Sequence, residues 1–341
     1  MSNPLAFDES LLPLAAAVER ALEGVSDAMR QALDTPWPDV AALCRHVERY
    51  RGKMLRPRLV LLASAAGGDG ELKAASESAT KLAAVFETIH LATLVHDDVL
   101  DDADVRRDAQ TISAMRGVET AVILGDYLIA AAYRLCSSIG DGSLALEVAR
   151  VCMRTAEGEI LQLSHRRDWS VDEPTYEAIV GGKTGELIAA SCRLGGRVGG
   201  LDDAREAALA AFGWHVGVAF QIQDDLLDLL GDEASVGKSV GKDLEKGKLT
   251  LPLIRYLGSA EPTARGRVLS LIDVASAGGP GAHDAAGEIV AALRASTAIE
   301  ESKARALELA DLAINELSVL PETPARRMLE AMANAAVQRS R

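Results

Sequence analysis

Two short runs of this chain carry aspartates at one helical spacing. In HDDVLDDADVRRD, residues 96–108, Asp97 and Asp101 stand four apart, and in FQIQDDLLDLLGD, residues 220–232, Asp224 and Asp228 repeat the interval. On an α-helix, residues four apart share a face one turn apart. Both runs close long apolar stretches, so their acids fall near a helix C-terminus, where the dipole opposes negative charge. One such run reads as a solvated carboxylate face. Two ask for a multivalent cation. Hard oxygen ligands with no His-Cys set favour Mg²⁺, which keeps several waters and shares its coordination with substrate phosphates. Calcium fits less well, because neither run has the spacing of an EF-hand loop.

Cations accompany the acids. Arg106 and Arg107 follow the first run directly, and Lys238, Lys242 and Lys248 occupy the glycine-rich stretch after the second. Lys183-Thr184 falls in another helical segment, and Lys53 and Arg56 lie in RGKMLRP. Singly, each reads as an ordinary surface charge. Together they supply enough positive charge for two diphosphates. His90 precedes Asp97 by seven residues, two turns back on nearly the same face. Alone it would be a core histidine; beside Lys53 and Arg56 it becomes a phosphate donor.

Composition limits what surrounds these groups. The 341 residues are 48% apolar, 25% charged and 4% aromatic, which excludes a disordered or fibrous chain. A net charge of −14 argues against a general nucleic-acid binder. Cys44, Cys136, Cys152 and Cys192 are widely spaced within helix-like runs, so buried free thiols and a reducing compartment are expected. The first residues lack a basic start and are broken by Asp8, Glu9 and Glu19, unlike a signal peptide. No uncharged window reaches the length of a membrane span. These features place the protein in the cytoplasm.

Abundant alanine, few aromatics and no strand-like alternation predict an all-α chain of about a dozen helices. The pattern places helices at roughly 8–33, 38–50, 55–66, 71–101, 117–137, 143–166, 173–196, 202–230, 249–258, 262–276, 283–296, 300–318 and 323–339. Asp172, Asp202 and Thr323 read as capping residues at helix starts. Glycines mark breaks at 67–68, 140, 199–200 and 278–281. Residues 103–116 and 231–248 do not read as simple helix, and long irregular segments inside a compact domain are often functional. With no linker or repeat, residues 1–341 are expected to form one helical domain.

The order RGKMLRPRLVLL, IHLATLVHDDVLDDADVRR, ILGDYLIAAAYRL, EGEILQL, GGKTGEL, FQIQDDLLD and GKDLEKGKLTLPLI resembles the trans-type polyprenyl (isoprenyl) diphosphate synthases over roughly residues 50–255. The resemblance implies a helical bundle around a deep central cavity, usually a homodimer, using about three Mg²⁺ ions per site. It implies that Asp97 and Asp101 ligate Mg²⁺ on an allylic diphosphate with Asp102 nearby, and that Asp224 binds a further ion with Asp228 helping through water. Arg106, Lys183, Lys238 and Lys248 would hold that diphosphate, while Lys53, Arg56, His90 and Arg107 would hold isopentenyl diphosphate. Thr184 and Gln221 would face a developing carbocation. In the family a bulky aromatic shortly before the first aspartates stops chain growth. Ala92 and Thr93 leave room there, which implies a long-chain product, and Phe86 deeper on the helix would be its floor.

Three positions depart from the family pattern. Arg51 stands where glycine commonly precedes Gly52-Lys53, Asp108 where glycine commonly follows the paired arginines, and Lys246 where an acid is common. Other readings are a shorter-chain farnesyl or geranylgeranyl synthase, a terpene cyclase or head-to-head condensing enzyme, and a non-catalytic subunit of a heteromeric synthase. RGKMLRP favours chain elongation over cyclisation, and two intact aspartate runs favour an active chain over a silent subunit.

Overall fold

A computed structural model describes residues 9–67, 70, 72, 76–230, 242–277, 279 and 281–338. After a 3₁₀ turn at Glu9–Leu11 come α1 (Leu12–Ala32), α2 (Pro38–Val47), α3 (Leu55–Ala65) and α4 (Glu77–Leu100). A ribbon of β1 (Val105–Arg106) and β2 (Ala109–Gln110) leads to α5 (Ile112–Arg116), α6 (Val118–Ser137) and α7 (Gly142–Ser164). Next, α8 (Glu173–Val180) passes through a π turn at Gly181–Gly185 into α9 (Glu186–Val198), followed by α10 (Asp203–Leu230). The chain closes with α11 (Lys242–Glu245), α12 (Leu251–Ser259), α13 (Pro262–Ala277), α14 (Ala282–Arg294), α15 (Ala298–Glu316) and α16 (Pro324–Val337).

The all-α expectation holds, and so do the caps. Asp172, Asp202 and Thr323 accept from the backbone N–H groups of Thr175, Arg205 and Arg326 at 2.9, 2.9 and 3.3 Å. Each meets a donor that a helix start would otherwise leave unpaired. The segment expected as one helix over 173–196 carries the π turn in its middle. The irregular stretch at 103–116 holds the ribbon and α5.

α4 is buried on nearly every side, and its alanines at 79, 83, 84 and 92 let α1, α3, α6 and α9 come close. α10 packs on α9, α15 and α16. Its first half joins the apolar cluster around α4, and its second half joins a cluster built from α8 and α12–α15. The two long helices that end in aspartate runs therefore span the interior. α6 is long and apolar enough to cross a membrane by length and composition. Here Leu124, Leu128 and Ala132 of α6 are buried, while Val118, Val122 and Ile123 remain exposed.

The ribbon turns through Arg107 and Asp108, both left-handed with φ of 48° and 63°. Two positive φ values suit a two-residue hairpin turn, and glycine meets them without the Cβ clash. Asp108 therefore carries a conformational cost in this turn that glycine would not. Asp108→Gly is expected to stabilise the chain by about 0.5–1 kcal/mol. An unchanged or lowered midpoint of urea unfolding would show that the turn holds no strain.

Candidate active site

The last turn of α4 divides its aspartates by direction. A helix advances 100° per residue, so Asp97 and Asp101 share a face and Asp98 points elsewhere. Asp98 is fully buried and accepts from Arg106 Nε at 2.7 Å. Asp97 lies 3.8 Å from Lys183 Nζ, which sits 2.6 Å from Glu159 of α7. Asp101 faces Lys246 at 3.0 Å, Lys248 at 3.3 Å and Arg166 at 3.5 Å. Burial lifts the Asp97 carboxyl above its ordinary range, with Lys183 pulling it back. Burial pushes Asp101 the same way, but Lys248 and Lys246 outweigh it and hold that carboxyl low.

Lys183 and Thr184 come from the π turn, a widened coil that often marks functional positions. Glycines bring its neighbours into contact. A Cβ on Gly158 would stand 2.5 Å from the Lys183 amide nitrogen, and one on Gly217 would stand 2.7 Å from Gly185 Cα. With α7, the π turn and α10 this close, side chains link across them. Thr184 Oγ1 donates to Gln221 Oε1 at 3.0 Å, and Gln221 Nε2 donates to Asp225 Oδ1 at 2.9 Å. Tyr176 Oη donates to Asp225 Oδ2 at 2.6 Å. Burial and the charge of Asp243 push the Asp225 acid up to about 8.

Asp224 and Asp228 are half-buried beside this inward residue. Asp228 Oδ2 accepts from the Asp243 amide at 3.2 Å, and Lys248 Nζ lies 3.9 Å from the Asp243 carboxylate. Lys248 thus touches Asp101 on one side and reaches toward the support of Asp228 on the other. Lys248 and Asp243 link the two aspartate runs, and the cleft beside them is lined by Tyr176, Lys183, Gln221, Asp225, Asp243 and Lys248 rather than by the outward aspartates themselves.

A second set of cations gathers around Glu87, a buried carboxylate on α4. Burial raises Glu87 while Arg56, Arg51 and Arg107 pull it down. Arg56 is lowered to about 10 by burial, opposed by Glu87. His90 is held well below its ordinary value by burial and by Arg56, Arg107 and Arg106. Arg107 donates to the Tyr50 carbonyl and lies flat on Gly52, where a Cβ would stand 2.5 Å from Nη2. Arg51 Nε, Arg56 Nε and Glu87 Oε2 are buried without a hydrogen-bond partner, and Arg51 Nη2 has only an ion pair with Glu48 at 3.5 Å. Unmet buried guanidinium donors are costly and match a multivalent anion.

A family model described as polyprenyl synthetase matches residues 38–286. The chain belongs to the polyprenyl synthetase family. It is a prenyltransferase, a polyprenyl diphosphate synthase of the trans type. The octaprenyl diphosphate synthase of Escherichia coli (strain K12) is 34% identical over 321 residues, 94% of this chain and 96% of that protein. A short chain isoprenyl diphosphate synthase of Methanothermobacter thermautotrophicus is 33% identical over 328 residues, 95% of each chain. The crystal structure of a polyprenyl synthase from Caulobacter crescentus CB15, complexed with calcium and isoprenyl diphosphate, superposes with a TM-score of 0.86. It shares 30% identity and covers 97% of this chain and 98% of that one.

In this synthase, Lys183 stands by Asp97 and Lys248 by Asp101. Thr184 is bonded to Gln221 and Asp228 to the Asp243 amide, and Asp224 is half-buried on α10. Arg56 and Arg107 act on both Glu87 and His90. Arg106 divides its reach, since its Nε is spent on Asp98. Lys53 is exposed, and its carbonyl accepts from Arg58 at 2.8 Å. Ala92 and Phe86 are wholly buried, and Thr93 is half-buried, its hydroxyl donating to the His90 carbonyl at 2.8 Å. Asp102 is exposed. Lys238 and the Lys242 side chain lie outside the described residues. Sequence reasoning missed Glu87, Asp98, Glu159, Tyr176 and Asp225, although a charge on a buried helical face was a usable signal for the first two.

Arg106→Met would strand the buried Asp98 carboxylate and lower stability by about 3 kcal/mol. Adding Asp98→Asn should restore most of that loss in urea unfolding of the substrate-free protein. A wild-type midpoint for the single variant would show that the pair carries no structural weight.

Proposed function

We propose that this synthase condenses isopentenyl diphosphate with an allylic diphosphate, such as farnesyl or geranylgeranyl diphosphate, giving a long-chain all-trans polyprenyl diphosphate. The reading rests chiefly on the two separate anion-ready sets: the aspartate pairs with Lys183 and Lys248, and the half-buried Arg51 and Arg56, whose buried Nε donors are unmet, beside Glu87. One diphosphate suits each set.

The donor chemistry of the first set fits Mg²⁺. It offers hard carboxylate oxygens from Asp97, Asp101, Asp224 and Asp228, and among the described residues no group of three potential ligands converges by itself. Remaining positions would fall to water and diphosphate oxygens. When bound, Mg²⁺ supplies positive charge that stabilises the departing diphosphate. Lys183, Lys248 and Arg106 hold that diphosphate as its charge grows, and Lys238 joins them by resemblance. Arg56, His90, Arg107 and Lys53 orient isopentenyl diphosphate so that its double bond attacks the allylic carbon. Thr184 and Gln221, bonded to each other through their oxygens, would offer their remaining lone pairs to the cation, and apolar walls exclude the water that would quench it. Elimination of a proton restores an alkene, and the released diphosphate is its acceptor.

Small residues at Ala92 and Thr93 support a long product. Thr93 lies one turn below Asp97 on the same face, and Ala92 lies about 7.5 Å deeper along the axis. We place the chain in the cytoplasm, where its four free cysteines stay reduced. Residues 1–341 form one helical domain in this reading. We also read the synthase as a homodimer. Leu146, Met153 and Ile160 of α7 stand exposed seven apart, and Val118, Val122 and Ile123 are exposed on α6, which packs against α7. A second copy is the self-complementary cover for such a stripe.

Mass spectrometry of the product made from farnesyl diphosphate, isopentenyl diphosphate and Mg²⁺ tests the reaction. Expected are a series of long polyprenyl diphosphates, loss of turnover with EDTA, and a drop of about 10³-fold in kcat for Asp97→Asn. Ala92→Tyr should shorten the product. A wild-type product stopping at twenty carbons, or at fifteen with geranyl diphosphate as primer, would establish the short-chain alternative, and no product from either primer would establish the subunit alternative. Light scattering should give twice the chain mass, falling to the chain mass in Met153→Glu/Ile160→Glu; a monomeric wild type overturns the dimer.

A further inference from the structure

Asp101 is surrounded differently from Asp97. Lys183 lies 3.8 Å from Asp97 and is drawn more closely to Glu159. Three cations face Asp101, and the nearest is Lys246, whose Nζ lies 3.0 Å from Oδ2. The others have further engagements: Lys248 reaches Asp243, and Arg166 donates to the Leu100 carbonyl at 3.4 Å. Lys246 thus sets a positive charge against a carboxylate that the proposed function makes a metal ligand.

We propose that Lys246 makes metal binding conditional on diphosphate: its ammonium occupies Asp101 until an incoming diphosphate draws it away. This rests on the reading of Asp101 as a ligand. A divalent cation arriving alone must displace an ammonium already paired at contact distance. A diphosphate carries more negative charge than one carboxylate, so it competes for the same ammonium and frees the oxygens of Asp101. The two ligands then assist each other, and linkage requires the assistance to be reciprocal. Lys246 is therefore a positioning residue for the metal and a direct contact for the anion. Its side chain retains 29% exposure, enough to swing between the two.

Two titrations test the proposal, both without turnover. Mn²⁺ is titrated into the substrate-free protein, following the paramagnetic resonance of the free ion. Inorganic pyrophosphate is titrated calorimetrically in metal-free buffer. Lys246→Gln should bind Mn²⁺ about 5-fold or more tightly than wild type and pyrophosphate about 5-fold or more weakly. Lys246→Arg retains the charge and should follow wild type in both, which separates the electrostatic effect from a change in folding. Asp101→Asn should lose the Mn²⁺ site in either background. Mn²⁺ affinity of Lys246→Gln within 2-fold of wild type, with the site still lost in Asp101→Asn, overturns the proposal alone. Unchanged Mn²⁺ binding in Asp101→Asn overturns the assignment of Asp101 as a ligand, and the proposal with it.

Discussion

A buried carboxylate must find a partner, and this constraint organises both ends of the cleft. Two adjacent aspartates on a helix cannot face the same way, so a helix presenting one to the cleft turns the other inward. On α4 the inward residue is Asp98, met by Arg106 from the ribbon. On α10 it is Asp225, met by Tyr176 and Gln221. Each inward carboxylate fastens its helix to a neighbouring element, and that attachment fixes the direction of the outward pair. The outward acids can then remain in an electrostatically unfavourable place, near a helix end of the wrong sign, because packing decides where they stand.

The second requirement is close approach. Lys183 must reach Asp97 from a different helix while Thr184 stays beside Gln221. Glycines at 158, 182, 185 and 217 remove the side chains that would hold α7, the π turn and α10 apart. The approach is backbone against backbone. It leaves little play in the positions of Lys183 and Thr184, which suits preorganised charge. Around Glu87 the same economy of space works through charge: one carboxylate keeps several guanidinium groups together in a setting where they would otherwise repel.

Much of this was legible in the residues. Alanine-rich apolar runs disclosed the helices, capping aspartates and threonine disclosed several starts, and aspartate spacing disclosed the outward pairs. What stayed hidden depended on distant partners. No periodicity distinguishes Asp98 from Asp97 until Arg106 is placed, and Tyr176 lies far from Asp225 in the chain. The π turn was invisible because GGKTG is compatible with a continuous helix, and its widening comes from tertiary contact. The ribbon's turn is a milder case, since Asp108 hides a left-handed position that glycine would have advertised.

The π turn also bears on how this family of helices can change over time. An extra residue accommodated inside a helix behaves as an insertion absorbed without a loop, and excising one residue between Gly181 and Gly185 would let the coil relax to ordinary pitch. Everything downstream in α9 would then rotate by about 100° relative to α8. Leu187, Ile188 and Leu194 would leave the interior together, so the bulge cannot be removed by drift in small steps. A local irregularity that aims two side chains has become a fixed joint of the whole scaffold.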